Sequence, residues 1–193
     1  MAVKSNLTNM VLVLGLTCLF CSALLGGAYV LTKEPIEAAA AQKTNDAIAR
    51  VLPHFESVEY DEDHNCFTAY DGERVVGCAV VSSAVGFGGV LTLMVGITPD
   101  GVVYNTSVLA HNETPGLGAK CTSDQKFMGQ WKGFDPSVKS LSVKKDGGDV
   151  DAITASTITS RAYTQAVENA LNTFSVIQSA SEESNEEGGQ DNE

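Results

Sequence analysis

From Met10 to Leu31 the chain carries no charged residue and almost no polar one. A stretch about 20 residues long is enough to cross the hydrocarbon core of a bilayer. There every backbone N–H and C=O must be satisfied within the segment, which leaves an α-helix as the conformation open to a lone span. A secretory signal usually has a shorter apolar region, roughly 7–15 residues, behind a stronger basic start than Lys4 alone. The small residues Ala38 to Ala41 offer a cleavage site, so that alternative stays open. The reading adopted is an uncleaved anchor over residues 10–32, preceded by a short cytoplasmic N-terminus at 1–9. Residues 33–54 form a helical connector, with a second helix from Ile36 to Leu52 between Pro35 and Pro53. Cys18 and Cys21 fall inside the span and read as apolar filler, because a structural metal site needs about four ligands.

The charge is unevenly placed. Of 24 acidic residues against 12 basic ones, six acidic and no basic residues follow Ser179. Residues 179–193 therefore read as a solvated, disordered acidic tail, and the rest is only mildly acidic. No basic face is visible to neutralise phosphates, so nucleic acid is not an expected partner. No Cys/His spacing suits a metal, no G-x-G-x-x-G stands between a strand and a helix, and no iron–sulfur spacing is present. Around the span, Lys33, Lys43 and Arg50 outnumber Lys4 and the α-amino group, which by itself places the domain in the cytoplasm.

Beyond Pro53 the pattern turns to short β-like runs. Cys66–Tyr70 and Arg74–Val81 flank Asp71-Gly72-Glu73, and Val90–Ile97 and Val102–Ala110 flank Pro99-Asp100-Gly101, each a hairpin signal. A three-residue first loop sets Cys66 directly opposite Cys78, at a separation compatible with a disulfide in an oxidising compartment. Two unlinked buried thiols remain the alternative, since sequence alone does not fix register. Trp131, in an aromatic-rich stretch, belongs to the core or to the border of a ring cofactor. Leu141–Lys144 reads as a further strand.

Two stretches carry chemistry. The first, His111-Asn112-Glu113-Thr114-Pro115-Gly116-Leu117-Gly118, is a turn-rich loop whose backbone a ligand can approach closely, with His111 and Glu113 beside it. An ordinary surface loop would look the same. The second is Val150-Asp151-Ala152-Ile153-Thr154-Ala155-Ser156-Thr157-Ile158-Thr159-Ser160, with five hydroxyls in its last seven residues. Ile158, Ala162, Ala166, Ala170 and Phe174, widened by Val167 and Leu171, mark the apolar stripe of a following helix. Ser156 or Thr157 then stands at the helix N-cap, where free N–H groups and the helix dipole favour an anion such as a phosphate. A hydroxyl-capped helix would explain this motif without any ligand.

The second stretch resembles the flavinylation motif of FMN-binding domains in the Rnf and Na⁺-translocating NADH:quinone reductase complexes, roughly D-x-x-S/T-G/A-A/S-T-x-S/T. Asp151, Thr154, Ala155, Ser156, Thr157 and Thr159 fill it, with Ala155-Ser156 where Gly-Ala is commoner. The loop H-x-E-T-P-G-L-G after V-L-A resembles the second signature of the Rnf G-subunit family, and G-F-G-G-V and D-G-V-V resemble its lead-in. Together the likeness covers about Phe55 to Phe174. The resemblance implies an α+β fold: a single N-terminal transmembrane helix, then an FMN-binding domain at 55–178 with an antiparallel sheet and flanking helices. It implies FMN held covalently through a phosphoester on Thr157, which makes the chain a phosphoprotein in the chemical sense. Ser156 and Thr159 are the fallback acceptors, and Asp151 is expected to help the attaching enzyme recognise the motif. Thr154, His111, Glu113, Thr114, Gly116, Leu117 and Gly118 lie near the flavin on the same reading.

The implied function is electron transfer within an inner-membrane complex that couples ferredoxin/NAD⁺ redox chemistry to ion translocation. The chain is then an electron carrier within that complex rather than an enzyme alone, with no catalytic residue of its own and no metal. Its implied partners are the other subunits of the complex, the membrane, and a Mg²⁺-dependent flavin transferase that draws on FAD. The resemblance also places the domain on the periplasmic side, against the lysine count, and it is preferred because that count is small. Two alternatives remain: the C-type member of the Na⁺-translocating quinone reductase complex, and a membrane-anchored binding module with no redox role.

Overall fold

The computed structural model describes residues 7–187, with side chains as far as Ala180. The start of the expected N-terminal segment, Lys4 included, and the end of the expected acidic tail lie outside the described residues. The chain divides into two compact units, Met1–Lys43 and Thr44–Glu193.

Helix α1 (Leu7–Val51) runs without interruption through Pro35. The expected break there does not occur. A proline inside a helix removes one hydrogen bond and crowds the carbonyl four residues back, which can bend a helix without ending it. The alanines that follow Pro35 are the strongest helix formers available. In the first unit Leu12, Leu14, Leu16, Leu19, Phe20, Leu24 and Leu25 are all exposed. With no polar side, the helix suits lipid rather than water. The second unit takes in the last turns of α1, where Ala47, Ile48 and Val51 are buried.

Strands β1 (Ser57–Asp61), β2 (Cys66–Asp71), β3 (Arg74–Val85), β4 (Val90–Ile97) and β5 (Val103–Ala110) form one antiparallel sheet in sequential order. The alternation of side chains across β4 assigns the two faces. Leu91, Leu93, Val95 and Ile97 point into the larger core, and Met94 into a second one with Ala47, Ile48, Val51 and Leu52. Burying each such side chain stabilises the fold by roughly 1.5–3 kcal/mol, whereas an exposed ion pair contributes about 0–1 kcal/mol. The sheet is therefore held by its two apolar faces. Gly96 marks how closely α1 approaches, because a Cβ there would collide with the Val51 carbonyl.

The larger core is closed by α3 (Thr157–Glu187), which packs across β3 and β4 through Ala162, Tyr163, Ala166, Val167 and Ala170. Ile158 departs from the expected stripe: it is half exposed, and Thr159, Ser160 and Tyr163 face inward instead. The helix continues through Glu187, into the segment expected to be a disordered tail. Between β5 and α3 the chain forms 3₁₀ turns at Gly118–Thr122 and Lys144–Asp146, with the short helix α2 (Gln125–Gly129) between them. The expected strand at Leu141–Lys144 is reduced to one bridge, Val143 to Val150. Trp131 is fully buried and stacks on Tyr163 at 5.2 Å between centroids, a core position.

The first hairpin is tighter than expected. Asp71 pairs with Arg74 around a two-residue turn in which Gly72 has φ +62°, and a bulge follows at Ala69/Tyr70. Cys66 consequently faces Val80, and Cys78 faces Thr68, so the directly opposed pairing is corrected to a diagonal one. Diagonal neighbours share a sheet face. At a Cα separation of 6.5 Å the two cysteines are joined by a disulfide.

Candidate functional site

Two loops and a helix start enclose a cleft of about 360 Å³ at one end of the sheet. Phe87 comes from the Gly-rich β3–β4 turn. Glu113, Thr114, Leu117 and Gly118 come from the loop after β5, and residues 155–159 from the entry to α3. The two stretches singled out by sequence thus form one site. Thr154, His111 and Gly116 do not line it.

The entry to α3 is set by local conformation. Ala155 has φ +61°, in the left-handed region that costs a residue with a Cβ about 1–2 kcal/mol. This is the physical reason for a glycine preference at that position. The Ser156 N–H donates to the Ile153 carbonyl at 3.0 Å, and the Ser156 carbonyl accepts the Ser160 N–H at 3.0 Å, opening the helix. Ser156 therefore holds the N-cap position, yet its hydroxyl does not cap. It is 7% exposed, and among the described residues its Oγ has no hydrogen-bond partner. A buried hydroxyl without a partner costs about 1–3 kcal/mol, and here it lies against the cleft.

Thr157, half-buried, begins the helix, and its Oγ1 accepts a 3.1 Å hydrogen bond from Lys145 Nζ. Asp151 lies outside the cleft. Its carboxylate meets Lys144 Nζ at 2.8 Å and Lys126 Nζ at 3.7 Å. The hydrogen bond from Lys144, aided by Lys126, holds its pKa below the usual carboxylate range. Gln130 fixes the same residue by both backbone groups, at 2.8 Å and 3.1 Å. Two residues before the cleft, Ile153 N–H donates to the buried Ser160 Oγ at 2.9 Å. The motif is thus anchored from several sides before it reaches Thr157.

Glu113 is the hinge between the three segments. It is buried at 5% exposure; Oε2 accepts the Thr159 hydroxyl at 2.7 Å, and Oε1 accepts the Gly88 N–H at 3.2 Å. Space for this carboxylate is made by glycines. A Cβ on Gly118 would meet Glu113 Oε2 and Thr159 Oγ1, the latter at 2.7 Å, and one on Gly86 would meet Glu113 Oε1. His111 supports the loop from behind, its Nδ1 accepting the Glu113 N–H at 3.2 Å. Gly116, at φ +76°, shapes the turn. The Leu117 and Ala119 N–H groups close it on the Thr114 carbonyl.

Sequence reasoning missed Phe87, Ile158 and Lys145. Phe87 and Ile158 are 69% and 50% exposed, and with Leu117 they give the cleft an apolar rim. An aromatic flanked by glycines in a hairpin turn was the available signal for Phe87. Lys145 has no signature, because it reaches Thr157 only through the fold. Behind the cleft the buried Cys121 thiol is pushed up to about 11 by burial and by the nearby Glu113 charge, so it is a neutral core group at physiological pH.

Residues 86–172 match the FMN-binding domain family. Over 177 residues the chain is 34% identical to the G subunit of the proton-translocating ferredoxin:NAD(+) oxidoreductase complex of Clostridium ljungdahlii, covering 88% of this chain and 89% of that one. It is 32% identical over 183 residues to the G subunit of the ion-translocating oxidoreductase complex of Methanosarcina acetivorans, covering 89% and 96%. Among solved structures, the C subunit of the Na(+)-translocating NADH-quinone reductase from Parabacteroides distasonis is 20% identical, with a TM-score of 0.47 over 69% of this chain and 81% of that one.

Proposed function

This chain belongs to the G-subunit family of ion-translocating oxidoreductase complexes, and we infer from that premise that its cleft holds FMN by a phosphoester on Thr157. It is an FMN-binding electron-transfer component of a membrane complex. The attachment site is the part inferred here. The observation that carries it is the orphaned, buried Ser156 hydroxyl at a helix start, next to a threonine that already engages a lysine.

The residues present fit the group. Its phosphate would meet the Ser156 hydroxyl, the free N–H groups of the first turn of α3 and the Lys145 ammonium, each favouring negative charge. The flat apolar ring would find Phe87, Leu117 and Ile158 around the cleft mouth. When bound, the flavin supplies the redox chemistry, and the protein supplies position and electrostatics. A tether of this kind leaves the ring unmodified and prevents loss of the carrier between turnovers. Thr157 is then a modification acceptor, loaded by a separate Mg²⁺-dependent transferase from FAD, and Asp151 serves recognition by that enzyme. Thr159 and Glu113 hold the two sides of the site together.

The anchor is α1, a single span, with the domain on the periplasmic face. The Cys66–Cys78 disulfide supports that side, because such bonds persist in oxidising compartments and are rare in the cytosol. It outweighs the small lysine asymmetry. In the complex the chain exchanges electrons with its neighbours along a path linking ferredoxin and NAD⁺. Peptide mapping of protein loaded by the transferase tests the acceptor. Fragmentation is expected to locate the FMN phosphate on Thr157; its location on Thr154, Ser156 or Thr159 would overturn the assignment.

A further inference from the structure

The 3₁₀ turn Lys144–Asp146 places three consecutive side chains on the attachment segment. Lys144 binds the Asp151 carboxylate at 2.8 Å, Lys145 donates to the Thr157 hydroxyl at 3.1 Å, and Asp146 pairs with Arg161 through both carboxylate oxygens at 2.6 Å. The outer two are ordinary exposed ion pairs. The middle one differs. Among the described residues no carboxylate lies within ion-pair distance of the Lys145 ammonium, and its hydrogen bond goes to a neutral oxygen. Lys145 is thus held on the Thr157 hydroxyl, with the Asp146 carboxylate only a longer-range neighbour, and the residue before Thr157 carries the buried Ser156 hydroxyl that has no partner among the described residues.

We propose that Lys145 is the positioning residue for flavin attachment: it orients and polarises the Thr157 hydroxyl and then neutralises the phosphodiester that forms there. This rests on Thr157 being the acceptor. In the step, Thr157 Oγ forms a bond to the phosphorus on the FMN side of FAD, and the pyrophosphate P–O bond breaks. AMP leaves with the bridging oxygen, and the threonine proton passes to a base of the transferase. No electrons change hands. An ammonium on Oγ favours the developing alkoxide, and the product diester carries one negative charge where none stood before. The neighbouring contacts of Lys144 and Asp146 fix the turn, so Lys145 is presented at that point without needing burial.

The test uses the full chain in detergent with purified flavin transferase, Mg²⁺ and FAD, following covalent flavin by fluorescence after denaturation. Lys145→Gln is expected to load about tenfold more slowly at saturating FAD, the scale of one charge-assisted hydrogen bond. Lys145→Arg keeps the charge and is expected to load at close to the wild-type rate. The ³¹P resonance of the loaded diester should also shift in Lys145→Gln, while the thermal midpoint of the unloaded chain stays unchanged. Equal loading rates for Lys145→Gln and wild type, or an arginine variant as slow as the glutamine one, would overturn the proposal. Loading that persists in Thr157→Val would instead remove the reading beneath it, so the two failures are distinguishable.

Discussion

The Thr159 hydroxyl donates a 2.7 Å hydrogen bond to Glu113 Oε2, joining the first turn of α3 to the loop after β5 across 46 positions of sequence. The two residues lie in the two stretches that sequence marks as chemical, and this bond is what makes them one site. Replacing Thr159 by Val removes the donor and leaves a buried carboxylate oxygen unpaired. A loss of about 1–3 kcal/mol is expected, read as a lower urea midpoint at unchanged slope. A midpoint equal to wild type would show that the bond does not hold the cleft.

Ala155 is the one place where the motif carries strain. A glycine there relieves the cost of φ +61° but gains freedom in the unfolded chain worth about 0.5–1 kcal/mol. The net expectation for Ala155→Gly is a stabilisation of up to about 1 kcal/mol with covalent flavin loading retained. Thermal unfolding checks it, and a lower midpoint would contradict the strain argument.

Cys66 and Cys78 are bonded, whereas Cys121 is a buried neutral thiol. Alkylation of the unfolded protein without reductant should therefore modify Cys18, Cys21 and Cys121 and spare Cys66 and Cys78. In the folded protein Cys121 should resist alkylation below its raised pKa of about 11. Modified Cys66 or Cys78 in the unreduced sample would remove the disulfide, and with it the support it gives to a periplasmic domain.

The ion pairs flanking the motif set its response to acid. Asp151 is held below the ordinary range by its hydrogen bond from Lys144, and Asp146 by its hydrogen bond from Arg161. A carboxylate with a depressed folded pKa contributes fully above its unfolded value and loses that contribution as pH falls through the folded one. The Thr157 amide resonance should thus stay fixed from neutrality down to about pH 4 and move only below it. A titration centred near pH 6 would show that another group governs the site.

Much of the fold is legible in the sequence because its signals are local. The uncharged span, the strand boundaries Val90 and Ile97, and the hydroxyl cluster before a helix each follow from periodicity or composition within a short window. Register is not legible: the bulge at Ala69/Tyr70 moves Cys78 from facing Cys66 to lying diagonal to it. Neither is the continuity of α1 through Pro35, where flanking helix formers outweigh one lost hydrogen bond. In the site, each motif stands out by itself but their union is not derivable, because Glu113 and Thr159 meet only through the sheet. Lys145 is invisible for the same reason. Helical period alone assigns Ile158 to the core, because period does not locate the cleft.

The most direct measurement is in-gel flavin fluorescence of the denatured chain from cells that contain the transferase, wild type beside Thr157→Val. Wild type should carry flavin that survives denaturation, and Thr157→Val should carry none while folding with the same thermal midpoint before loading. Fluorescence persisting in the Thr157→Val band would contradict the account at its centre.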